Sequence, residues 1–366
     1  MKRYRFIDIG ANLTDLMYEG FYNGSNKHSP DLNTVIERSF TLGNLSKMIL
    51  TAGNLEDSKK SLELAKKDDR MFSTIGVHPT RCSELKESKD VEGYLNSFSN
   101  IVKQNTNKIV ALGEFGLDKE RTHFCDFETQ KKYFDMQLEH FGNNGCDLPL
   151  FLHSRNSSKE LLEILNSHKS KFTKSGVVHS FDGSLEEANS ILDAGYYIGI
   201  NGCSCKTEEN IEVIKELPID KLMIETDCPW CEVRPSHAGH KYISTRFGDV
   251  PTVKKNNWKH GAIIKNRNEP MFIVQVLEIV AGVKGLNPQE VADVIFETTD
   301  RVFFQSVCEH WFRENSSDKA LSFAQCPWNA KRHPNGLFTR LAPSVYFLLD
   351  VEVSIKISRK YHLTTL

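Results

Sequence analysis

Four side chains able to hold a cation are scattered through this chain, and each follows directly on a short apolar run. Glu114 follows Ile109-Val110-Ala111-Leu112-Gly113, and His153 follows Leu148-Pro149-Leu150-Phe151-Leu152. His179 follows Gly176-Val177-Val178, and Asp227 follows Leu222-Met223-Ile224-Glu225-Thr226. Runs this short and apolar read as strands buried on both faces. When parallel strands close into a β/α barrel, residues at their C-terminal ends meet at one mouth, however distant in sequence. Two imidazoles and two carboxylates gathered there form a ligand set for divalent cations.

The rest of the chain keeps the same rhythm. Strand-like runs fall near 4–9, 47–51, 72–76, 109–113, 148–153, 175–179, 196–200 and 222–227. Amphipathic stretches of helical length lie between them, including 55–66, 91–103, 128–140, 159–166, 185–193 and 208–216. Eight alternating units predict a TIM-type (β/α)8 barrel. Ser184-Leu185-Glu186-Glu187 and Thr207-Glu208-Glu209-Asn210 place a hydroxyl ahead of acidic residues, as helix starts do. Asn287-Pro288 opens a last helix running towards Phe304. The polar segment 228–268 is expected to lie over the active face.

With 366 residues the chain is long enough for one large domain. The barrel is expected over 1–305. The tail, 306–366, breaks the rhythm and is expected to be a C-terminal extension, either poorly ordered or packed on the barrel. A net charge of -2 excludes a global basic surface for nucleic acid. Met1-Lys2-Arg3 leads straight into the first strand, so no secretory signal is read, and no apolar run is long enough to span a bilayer. Nine scattered cysteines fit a reducing compartment.

Seven fragments in order carry a resemblance: Phe6 to Thr14, Gly76-Val77-His78-Pro79, Gly113 to Asp118, His153-Ser154-Arg155, His179 to Gly183, Glu225-Thr226-Asp227 and Arg267-Asn268-Glu269-Pro270. Together, from the first residues to about Phe304, they resemble the TatD-type deoxyribonucleases of the metal-dependent hydrolase superfamily, nearest the eukaryotic branch. The resemblance implies a β/α barrel with two divalent cations per chain. Glu114 would bridge them, His153 and His179 would complete one, and Asp227 would bind the other. Glu114 and Asp227 would be the catalytic pair, with metal-activated water as the nucleophile. The implied reaction is phosphodiester hydrolysis, as a 3′–5′ exonuclease on single-stranded DNA or 3′ ends, with RNA also admitted. The resemblance also implies a nuclear location, alongside a cytoplasmic one.

Many superfamily members carry His-x-His after the first strand, where this chain has Gly10-Ala11-Asn12. The first cation would then see mostly oxygen, which favours Mg²⁺ over Mn²⁺ or Zn²⁺. Asn12, Asp8 and Glu225 are candidates for a further ligand or for holding the ligands in place. His78, Arg155, Arg267 and Trp230 are candidates for gripping substrate, by neutralising phosphates and stacking bases. Lys241 and Arg81 read equally well as solvated charges. Cys228-Pro229-Trp230-Cys231 has a redox spacing, but it follows a proposed ligand in a different fold context. Cys203 and Cys205 lack a second ligand pair for a soft metal. The competing readings are a barrel hydrolase of small amides or esters, and a non-catalytic nucleic-acid-binding barrel.

Overall fold

The expected eight strands form in the computed structural model, which describes residues 4–304. They are β1 (Phe6–Ala11), β2 (Leu45–Leu50), β3 (Met71–Ile75), β4 (Ile109–Asp118), β5 (Leu150–Arg155), β6 (Gly176–His179), β7 (Tyr197–Ile200) and β8 (Leu222–Ile224). Each pairs parallel with the next in chain order. The ring closes through two 2.8 Å bonds: the Asn12 N–H donates to the Cys228 carbonyl, and the Asp227 N–H to that of Gly10. The expected extension over 306–366 lies outside the described residues.

Helices cover the outside of the sheet, and the predicted caps hold two of them. Ser184 and Glu187 form a reciprocal capping box ahead of Leu185–Asp193, and Thr207 and Asn210 do the same for Glu208–Glu216. Asn287 caps Pro288–Phe303. Ile273–Lys284 buries Val276, Leu277, Ile279 and Val280, because it packs between neighbouring helices and the barrel. Burying each such side chain contributes about 1.5–3 kcal/mol, so this layer is a main source of stability. Among the described residues no single helix is long and apolar enough to cross a membrane.

Two expectations need correction. β4 does not stop at Gly113 but continues to Asp118. Gly113 and Gly116 take φ of +136° and +144°, where a Cβ would meet the carbonyl oxygens of Phe151 and His153 at 2.1 and 2.0 Å. Only glycine fits both the dihedrals and the approach. The register slips between Leu112 and Phe115, an irregularity that turns Glu114 inwards while pairing with β5 continues. The segment 228–268 covers the mouth only at its start. Beyond that, Ala238–Tyr242 packs on Glu208–Glu216 and Ile273–Lys284, away from the mouth.

Candidate metal centre

Alternation along each strand decides what faces the barrel axis. His153 and His179 are register partners on β5 and β6, so their rings stand side by side at one level. Glu114 reaches them from β4. Its Oε1 lies 3.0 Å from His153 Nδ1, 2.8 Å from His179 Nε2 and 3.2 Å from His78 Nε2. Asp227, just past β8, lines the same cleft. The four predicted ligands therefore share one mouth, and His78 joins them.

What lies behind each ring separates the three histidines. Asp118 Oδ2 is 3.0 Å from the far nitrogen of His153, and Glu225 Oε1 is 3.4 Å from the far nitrogen of His179. A carboxylate behind a ring holds a proton there and leaves the forward nitrogen free for a cation. Behind His78 is instead the Thr80 N–H, which donates to Nδ1 at 3.1 Å. The Thr80 hydroxyl also lies 2.7 Å from that Nδ1. A carboxylate thus stands behind His153 and behind His179, and Thr80 behind His78. Ligand atoms of His78, Glu114 and His153 all lie within 4.8 Å of one another, a donor set that could hold a metal ion, and His179 meets the same Glu114 oxygen.

The electrostatics follow from this packing. Burial alone would raise the Glu114 pKa, but the charges of His179 and His78 and the bonds from His153 and His179 hold it well below the usual carboxylate range. Burial opposes the charged form of His179, yet Glu114 and Glu225 hold its pKa well above the ordinary value. Burial keeps the His78 pKa below its ordinary value, against the pull of Glu114. Asp227 is pushed up to about 6, mainly by burial and by repulsion from Glu225 and Glu114, with His179 opposing. Burial also tends to raise Asp118, but its bond to His153 brings it down to about 2.

The three supporting candidates occupy distinct places. Asn12 Nδ2 donates to Asp227 Oδ1 at 2.9 Å, while its own oxygen accepts from the Thr51 hydroxyl. It therefore orients Asp227, and its oxygen keeps a second lone pair towards the cleft. Glu225 Oε1 accepts from the Ser180 N–H at 2.6 Å and from Asn201 at 3.2 Å. Gly10 leaves room for this carboxylate, since a Cβ there would sit 2.5 Å from Glu225 Oε2. Asp8 is fully buried at the barrel seam, where it accepts from the Thr226 hydroxyl and from the N–H groups of Thr226 and Gly10. That enclosure raises its pKa to about 8, through burial, and makes it a brace for the seam.

Of the substrate candidates, Arg155 lines the cleft and pairs with Asp182, and Trp230 stands half exposed at the rim. Arg267 is a correction. Its side chain is enclosed and grips both oxygens of Asp31, at 2.7 and 2.6 Å, and Glu269 at 3.1 Å. It braces the return segment and cannot reach a ligand. Lys241 pairs with Glu208, and Arg81 with Glu84. Cys231 does not face Cys228, which is buried. Its sulfur lies 2.9 Å from that of Cys203 and 3.1 Å from Asp227 Oδ2. Sequence reasoning quoted Asp118 within a motif without giving it a role, and did not pair Cys203 with Cys231. An acidic residue ending the Glu114 strand was a usable signal for the first. Nothing local pointed to the second.

Residues 7–304 match the family of TatD related DNases. A Schizosaccharomyces pombe protein named Deoxyribonuclease Tat-D is 41% identical over 302 residues, covering 82% of this chain and 96% of its own. A Salmonella typhimurium protein named 3'-5' ssDNA/RNA exonuclease TatD is 29% identical, covering 82% and 99%. The crystal structure of a hydrolase TatD family protein from Entamoeba histolytica superposes with a TM-score of 0.76 at 36% identity, covering 83% of this chain and 99% of that one. With the barrel and its ligand set already in place, these matches settle the affiliation: the chain belongs to the family of TatD related DNases.

Proposed function

We propose that the chain is a divalent-cation-dependent deoxyribonuclease that removes nucleotides from the 3′ end of single strands, with RNA as a second substrate. Glu114 would be shared by two cations, with His153 and His179 holding one and Asp227 the other. The observation that carries this reading is the carboxylate behind each of the two ligand rings, Asp118 and Glu225. Bound cations supply Lewis acidity at the phosphoryl group and an activated water as nucleophile.

The remaining tasks fall to side chains. Asp227 would orient the attacking water or accept its proton. His78, which lines the cleft beside Glu114, would hold a phosphate oxygen. Asn12 keeps Asp227 in the productive rotamer. A cation held by Asp227 and Glu114 would meet mainly oxygen, which suits Mg²⁺. The cleft, of about 1230 Å³, exceeds what a small amide or ester needs and favours a polymer. The printed name of the Salmonella relative supports the 3′–5′ polarity.

The test is release of nucleotides from 3′-labelled single-stranded DNA with Mg²⁺, Mn²⁺ or EDTA, comparing wild type with Glu114→Ala. Release that needs a cation and disappears in the variant is expected. Release that survives the substitution refutes the shared-ligand role.

A further inference from the structure

Three aromatic side chains of the described residues are classed as exposed: Phe21, Phe124 and Trp230, at 38, 61 and 52%. All three line the cleft above Glu114. They come from different loops, Phe21 after β1, Phe124 after β4 and Trp230 after β8. In a closed ring of eight strands β1 and β8 are neighbours, and β4 lies across the mouth from them. The cleft therefore has an aromatic lip on either side of the candidate metal centre.

The rings are exposed, but the backbone that carries them is tied down. The Phe124 N–H donates to the Arg121 carbonyl at 3.1 Å, its carbonyl accepts from Ser83 at 3.3 Å, and Gln130 donates to the Cys125 carbonyl at 2.8 Å. The same loop accepts its turn from Asp118, whose Oδ1 takes the N–H groups of Glu120 and Arg121 while Oδ2 faces His153. Phe21 sits on a short hairpin, Phe21–Tyr22 with Ser25–Asn26, and the Lys27 N–H closes on Gly20 at 2.8 Å. The Trp230 N–H donates to the Asp227 carbonyl at 3.0 Å. Apolar rings left in water on a fixed backbone lose little conformational freedom when something flat covers them.

Charge does not provide this grip by itself. Lys60, Arg81, Arg121 and Arg155 line the cleft but each already faces a carboxylate. Lys206, also on the cleft, makes no ion pair among the described residues. A ligand that presents flat bases on both sides of a phosphate meets all of these features. We infer that Phe124 on one lip, and Phe21 with Trp230 on the other, stack the bases flanking the scissile phosphate, so that the substrate is a strand with its bases unstacked. This rests on the nuclease reading above. It adds that duplex ends must be opened before they enter, because stacking on neighbours in a duplex covers the base faces that the two lips would take.

The test compares a short oligothymidylate with an abasic oligomer of the same backbone, read by turnover and by fluorescence-anisotropy binding. Phe124→Ala and Phe21→Ala are each expected to weaken oligothymidylate, in KM and in Kd, by about 5-fold or more. Turnover of the abasic oligomer should hold, and Phe124→Trp should restore the loss. Equal weakening on both oligomers, or no weakening on oligothymidylate, overturns the inference. Wild type that binds oligothymidylate through these rings yet releases no nucleotide overturns the nuclease reading and leaves the stacking grip standing, so the two failures are distinguishable.

Discussion

Replacing Arg267 with alanine separates a brace from a substrate contact. The guanidinium forks onto both oxygens of Asp31, reaches Glu269, donates to the Met17 carbonyl at 3.2 Å and lies 4.9 Å from the centre of the Tyr18 ring. Arg38 remains on Glu269 after the substitution, but Asp31 loses its cation. Breaking a buried ion pair from one side costs about 3–5 kcal/mol, since the partner charge stays buried. Unfolding entropy near 2.1 cal/mol/K per residue gives about 0.6 kcal/mol/K for a barrel of roughly 300 residues. The expected fall in Tm is therefore roughly 5–8 °C, read by circular dichroism. Arg267→Lys should recover little of it, because an ammonium cannot fork onto both oxygens. KM for single-stranded DNA, measured well below the transition, should stay close to wild type. A large rise in KM with an unmoved Tm would refute the argument and return Arg267 to the substrate.

Three further outcomes follow from the geometry around Glu114. His179 has a raised pKa, so near neutral pH it is protonated without a cation and must release that proton to become a ligand. Metal uptake should release protons, seen by calorimetry in buffers of different ionisation enthalpy. Affinity should weaken as pH falls, and more steeply below about 6, where Asp227 also takes a proton; uptake with no proton release contradicts this. Asp118→Asn removes the carboxylate behind His153 and should cost about 10–100-fold in metal affinity, measured by competition with a chelating dye. Gly10→Ala forces a methyl against Glu225 and should destabilise by about 1–3 kcal/mol, visible in urea unfolding.

The barrel was legible because its signal is local and repeated: each buried parallel strand is a continuous apolar run, and each ligand punctuates one. Glu114 shows the limit. Glycines normally end a strand, so Gly113 read as a stop, whereas in the fold two glycines at positive φ carry the strand through a register slip to Asp118. Arg267 shows a different limit. A polar cluster beside the last strand resembles a site, and its main partner Asp31 lies 236 residues away with no local mark of the pairing. Phe21 and Phe124 were legible only in part. Phe124 is a lone aromatic in the polar stretch from Lys119 to Asp126. Only the closed ring places it across the mouth from Trp230.

The polar interior of the mouth also explains how the barrel tolerates it without a cation. Burying Glu114, Glu225 and Asp227 together would be costly if nothing answered their charge. His179 stands between Glu114 and Glu225, and both carboxylates favour its protonated form. In the protein stripped of metal, a proton on that ring would be the internal counter-charge, a task a bound dication would take over. Because the carboxylates that stabilise the imidazolium also orient the ring for ligation, the side chains need not rearrange between the two conditions. Removing Glu225 should therefore harm metal affinity and metal-free stability together. Removing His78, whose ring belongs with Glu114 and His153 to a group that could hold a cation, should reduce turnover and metal affinity together.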